Sequence, residues 1–189
     1  MNRPFIRFSA FFWGIGLCLG LILAPSLTAK EVFRAKLMTS GGPAQQKLMT
    51  VKITIEDYTT ADEVRKLQRV LIDSGSDEFM RAFRKSKKGT LNFIGVRGLN
   101  VRINTAQSFP NEEGRKIWIF TERQSWGGTD RATILRQHFF MAIELDLDSE
   151  GIGTGRFYPG ATFRLKSSGI VELDSFLPPE QILGVRKVG

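Results

Sequence analysis

Two segments near the start of the folded region alternate apolar and polar residues with period two. In Glu31–Thr39 the apolar set is Phe33, Ala35 and Leu37, and in Met49–Glu56 it is Met49, Val51, Ile53 and Ile55. One apolar and one polar face per segment is the pattern of a half-buried strand. The turn-forming run Ser40-Gly41-Gly42-Pro43-Ala44 between them predicts an antiparallel pair.

The period then changes. Thr60-Ala61-Asp62-Glu63 has the spacing of a capping box, with Val64, Leu67, Val70 and Leu71 following at helical intervals and Gly75 placed to stop the helix. A second short helix is predicted from Ser76, acidic at its start (Asp77, Glu78) and basic at its end, with Phe79, Met80 and Phe83 as its apolar side. Together they predict a helical hairpin. Beyond Gly89 the reading returns to strands: Thr90–Val96, Leu99–Thr105, Lys116–Thr121, Thr133–Leu147, Gly153–Lys166, Ile170–Phe176 and a last one at Ile182–Val188. The run Phe139-Phe140-Met141-Ala142-Ile143 is apolar on both faces, which predicts a central strand with helix packed on its second side. The fold expected is α+β: an antiparallel, strongly curved sheet or partial barrel, with the helical hairpin inserted after the first two strands.

The N-terminus adds a destination. Arg3 and Arg7 precede an apolar run from Phe8 to Leu23, which ends in Ala24-Pro25-Ser26-Leu27-Thr28-Ala29. Positive, apolar and small-residue regions in that order read as a secretory signal peptide over residues 1–29, cleaved between Ala29 and Lys30. Residues 30–189 then form a single strand-rich domain without a transmembrane segment. A retained anchor over residues 8–24 is the competing reading, and Gly14, Gly16, Gly20 and Pro25 weigh against it. Lipidation at Cys18 is set aside because Leu17 precedes it, where a small residue is needed. The expected location is the periplasm, the cell envelope or the outside of the cell.

Cleavage also removes the only cysteine, so the mature chain has no disulfide, no thiolate nucleophile and no cysteine metal site. The formal net charge falls only from +8 to +6, since Arg3 and Arg7 leave and no acid does. A basic exported domain points toward anionic envelope components and away from nucleic acid.

Candidate chemistry is sparse. Asp146-Leu147-Asp148-Ser149-Glu150-Gly151 imitates the start of a calcium loop, but Phe157 stands where the closing Glu belongs, and a hairpin turn is expected instead. Gly151, Gly153 and Gly155 lack nucleotide-binding spacing and predict a close approach of backbone to the strand. His138 is the only histidine and has no nucleophile elbow near Ser125 to serve. No cofactor is implied. Arg81, Arg84, Lys85, Lys87 and Lys88 crowd the end of the second helix, either as a patch for an anionic partner or as a solvated end that balances the helix dipole. The stretch Arg123–Arg131, with Trp126 beside a glycine pair, is a candidate binding loop through Arg123, Trp126 and Arg131.

The Ser40–Ala44 turn, the strand leading to Tyr58-Thr59-Thr60, and Glu144–Asp148 followed by glycines 151, 153 and 155 and Ala161 resemble a group of uncharacterised exported bacterial proteins, each a signal peptide and one domain of this size. The resemblance implies export and a single domain and carries no activity. The expected function is a non-catalytic binding or structural domain of the envelope, with an anionic envelope component or an apolar small molecule as ligand. The alternative is a small secreted hydrolase working through carboxylates or through an isolated serine, such as Ser125, with His138.

Overall fold

The computed structural model describes residues 30–40, 46–95, 100–123, 140–165, 171–175 and 177–188. The expected signal peptide and cleavage site, the expected turn at residues 41–44 and the expected strand residues 133–139 lie wholly or mostly outside these.

The first two alternating segments are strands β1 (Glu31–Ser40) and β2 (Gln46–Ile55), paired antiparallel along their whole length. After the helix α1 (Ala61–Lys85) come β3 (Gly89–Ile94), β4 (Asn100–Ile103), β5 (Thr105–Pro110), β6 (Gly114–Glu122), β7 (Phe140–Asp148), β8 (Ile152–Leu165), β9 (Val171–Ser175) and β10 (Glu180–Lys187). Every recorded pairing is antiparallel. The strand order is β4-β3-β2-β1-β10-β8-β7-β6-β5, with β9 attached to β8.

The ends of that order nearly meet. β4 and β5 are one run of chain that turns a corner at Asn104, so β4 pairs with β3 while β5 pairs with β6. Asn104 is buried and fully used: its amide nitrogen donates to the carbonyls of Phe83 and Ser86, and its side-chain oxygen accepts from the Glu122 N–H. Its own backbone N–H donates to the Phe120 carbonyl at 3.0 Å. One side chain thereby ties the end of α1 to both sides of the corner.

The expected α+β fold with a helical hairpin is therefore corrected. Among the described residues the molecule is mostly antiparallel sheet, curled into a nearly closed barrel, with one kinked helix in place of a hairpin of two. The cap was read correctly, with the Thr60 hydroxyl and the Glu63 carboxylate each accepting from the other's backbone N–H. Gly75 leaves helical geometry as expected, with φ 82° and ψ −175°, but helical backbone resumes at once, so Ala61–Lys85 is one element broken by a kink. A straight helix of 25 residues would span roughly 37 Å. Here both ends sit against the Asn104 corner, since the Thr59 N–H donates to the Ala106 carbonyl while Asn104 holds Phe83 and Ser86.

The core lies inside the barrel. Among the described residues twenty buried ones form one cluster, including Phe33, Leu37, Ile53, Ile55, Leu91, Ile103, Ile117, Ile119, Leu145 and Leu147. They are the alternate residues of their strands, so period two delivers one set inward and the other outward. β7 is apolar on both faces as expected: Met141, Ile143, Leu145 and Leu147 join the barrel interior, whereas Phe140 and Ala142 point outward to a second cluster with Phe79, Met80 and Phe83 of α1. Phe83 meets Phe140 edge to face, with ring centroids 5.0 Å apart. The glycines of β8 serve the close approach predicted for them: a Cβ at Gly153 would stand 1.9 Å from the Asp146 carbonyl oxygen and one at Gly155 2.4 Å from that of Glu144.

Candidate functional site

The register of β5 through β8 builds a grid of side chains on the outside of the barrel. Thr105, Phe120 and Ala142 align across β5–β7 with Tyr158 of β8, and Gln107, Trp118, Glu144 and Arg156 form the next row. Trp118 stacks on Phe120, centroids 5.9 Å apart and planes within 7°, and on Tyr158 at 6.0 Å. These aromatics face out because Ile117, Ile119 and Phe157, one residue away along their strands, face in.

The first arm of α1 runs above this aromatic floor, with Leu67, Val70 and Leu71 packed against the cluster around Phe83 and Phe140. Val64, Leu67 and Leu71 are only half-buried, and between them and the floor lies a cavity of about 410 Å³. Phe79, Phe83, Gln107 and the 45 % exposed Phe109 also line the cavity. The volume is in the ordinary range of small-molecule sites, and the lining is mainly apolar with a few amide and hydroxyl groups.

Below the aromatic floor the grid becomes charged. Glu144, buried on its outward face, accepts from Lys116 at 2.7 Å, from the Tyr158 hydroxyl at 3.2 Å and from Arg156 at 3.5 Å. The hydrogen bond to Glu144 holds the Lys116 ammonium above its ordinary pKa despite burial. Burial and the Glu144 charge together push the Tyr158 hydroxyl up. A matching cluster lies at the mouth of the barrel interior, where Glu31 accepts from Arg115 (2.9 Å), Lys187 (2.8 Å) and Tyr58. Burial pushes the Glu31 carboxyl up, but the bonds from Arg115, Lys187 and Tyr58 outweigh it and leave the group below its ordinary value. Each buried carboxylate is thus saturated by two cations and a tyrosine.

No protein-family model, no curated protein and no solved structure matches this chain. The reading of the site rests on its geometry.

The residues nominated from sequence are dispersed. Arg81 pairs with Glu78, Arg84 with Glu122 at 2.7 Å, and Lys87 with Glu56 at 3.5 Å. Lys85 is exposed on the last turn of α1. Lys88 does not belong with them: its side chain is 7 % exposed, and its ammonium contacts Asp57 and Glu63, both at 2.9 Å. Burial lowers the Lys88 pKa, and the bonds to Glu63 and Asp57 more than reverse this, so the group stays charged. Arg123 is half-buried, and that burial lowers its pKa. Trp126, Arg131, Ser125 and His138 lie outside the described residues. The acidic turn is a hairpin turn, as expected, in which Asp148 accepts from the backbone N–H groups of Glu150 and Ile152, both at 2.9 Å.

Sequence reading missed Trp118, Phe120, Phe109 and Gln107. The alternation in β6 marks Trp118 and Phe120 as facing away from Ile117 and Ile119, which is the signal that was there to find. Nothing local says that a half-buried helix stripe stands opposite them.

Proposed function

We propose that this protein is an exported, non-catalytic binding domain of the cell envelope that holds an apolar small molecule in the groove between α1 and the aromatic face of β5–β6. The observation that carries this reading is the half-buried apolar stripe of the first α1 arm, in which Val64, Leu67 and Leu71 line a cavity with Trp118 and Phe120. A ligand inside the barrel is a poorer reading, because twenty buried side chains already fill that space. Apolar side chains left around a groove of this size gain contact and lose water when a chain-like or ring-like apolar molecule enters. Gln68, Thr105 and Gln107 in the lining supply hydrogen-bonding groups that orient a polar end.

Titration with the uncharged probe N-phenyl-1-naphthylamine tests the proposal. Probe fluorescence should rise on binding and Trp118 emission should fall. Leu67→Arg, at a half-buried position that can release the guanidinium to solvent, should weaken the probe at least tenfold while leaving the unfolding midpoint nearly unchanged. Equal binding by the variant would move the ligand elsewhere on the molecule.

A further inference from the structure

We propose that the outer face of β2–β1–β10 is a docking surface for an anionic lipid bilayer. The surface is separate from the groove and does not depend on it. In the antiparallel register Arg34 of β1 stands directly opposite Lys52 of β2 on one side and Arg186 of β10 on the other. Lys36 follows two residues along β1 on the same face, beside Thr50 and Leu183. Arg34, Lys36 and Arg186 are exposed and Lys52 is half-buried.

Directly opposed residues in neighbouring strands have their Cβ atoms about 5 Å apart, and like charges there repel. Three cations in a row across three strands therefore strain this sheet. Among the described residues none of Arg34, Lys36, Lys52 and Arg186 makes an ion pair or side-chain hydrogen bond. Elsewhere the same molecule pairs its charges closely, as at Glu31, Glu144 and Lys88. Water and salt screen this repulsion in part, and an anionic surface docked on the face would replace it with attraction.

The neighbours of the row decide which anion. Ile94 lies beside Thr50, Leu183 beside Lys36 and Ile152 beside Arg186, with Leu48 further along β2. All four are at least 37 % exposed. Cations interleaved with exposed aliphatic side chains match a leaflet of anionic headgroups over acyl chains. An anionic polysaccharide would use the cations and leave the aliphatic residues without a role.

The test is binding of the full chain to vesicles of phosphatidylglycerol in phosphatidylcholine, compared with phosphatidylcholine alone; residues 1–29 are common to every arm. One basic residue near an anionic surface contributes about fivefold to partitioning, so the triple variant Arg34→Gln, Lys52→Gln, Arg186→Gln should lose on the order of a hundredfold. Its unfolding midpoint should equal or exceed that of the parent, which shows that the loss is not unfolding. Wild-type binding should weaken as added salt shortens the Debye length from ~10 Å at 0.1 M to ~3 Å at 1 M. The double variant Ile94→Ser, Leu183→Ser should weaken vesicle binding and leave binding to dextran sulfate unchanged. An equal loss from Arg65→Gln, Lys66→Gln, Arg69→Gln on α1 would overturn the proposal in favour of net charge alone. Unchanged vesicle binding by the β-face triple variant would also overturn it. Binding to dextran sulfate without binding to vesicles would assign the face to a polyanion instead.

Discussion

Glu31 shows how much one side chain carries in this molecule. It opens β1 on the inward-facing set that continues with Phe33, Ala35 and Leu37, so a carboxylate stands where the alternation calls for an apolar residue. Arg115, two residues before Ile117 in the same alternating set and with its guanidinium over the Phe33 ring, makes that tolerable together with Lys187 and Tyr58. Glu31→Gln should cost about 1–3 kcal/mol at neutral pH, because Arg115 and Lys187 lose their counter-charge but are partly open to water. The pH dependence follows from the lowered pKa of Glu31. Its stabilisation is fully present above the ordinary carboxyl value of 4.5, where folded and unfolded chains are both ionised. As the pH falls further the unfolded chain takes up the proton first, and the stabilisation is lost as pH drops through the lower folded value. Urea unfolding across an acid pH series should show this decline in the parent and a flatter profile in the variant. Identical acid limbs would mean that Glu31 is not linked to folding.

At the scale of elements, α1 is where local and tertiary signals part. Its start was legible, because Thr60 and Glu63 cap the same few backbone groups in any environment. Gly75 was legible as a break but not as to its kind. A glycine can end a helix or bend one, and here the choice is made by Asn104 and Ala106, which hold both ends of the element. With φ 82° and ψ −175° Gly75 sits in a region that is essentially glycine-only. Among the described residues no atom lies within 4 Å of the Cβ it lacks, so a substitution there meets backbone strain and no clash. Gly75→Ala should destabilise by about 1–3 kcal/mol in urea unfolding, and Gly75→Asn should rescue little, since ψ −175° lies far from the left-handed helical region that asparagine tolerates. A midpoint unchanged by Ala would show that the bend is dispensable. β5 was missed for a related reason. In Thr105–Pro110 the small Ala106 is buried and Phe109 is exposed, the reverse of what hydrophobicity predicts, because the element is placed by the Asn104 corner and by pairing with β6.

At the scale of the whole molecule, closure depends on the last strand. β10 lies between β1, the first strand, and β8, so the two ends of the folded chain are neighbours in one sheet. Deleting residues 180–189 should leave β1 and β8 as unpaired edges and uncover Phe33 and Val51, which share the core with Ile182 and Val185. The truncated chain should lose its cooperative thermal transition and aggregate; a soluble monomer with a sharp transition would show that the barrel stands without β10. Contact between the first and last strands also makes the fold rich in long-range pairing, which predicts slow folding relative to a helical domain of equal length.

From the sequence alone came the alternation that separates Phe33, Val51 and Ile117 from Arg34, Lys52 and Lys116, the Thr60 cap, the doubly apolar β7 and the close backbone approach at Gly153 and Gly155. Each is settled within a few residues by period, capping chemistry or the lack of a Cβ. Strand order, the Asn104 corner, the groove under Val64, Leu67 and Leu71, and the cation row Lys52–Arg34–Arg186 belong to the tertiary structure. A strand's own pattern says which side chains share a face. Which residue of another strand stands opposite them is decided by register across more than a hundred residues of chain, as between Arg34 and Arg186.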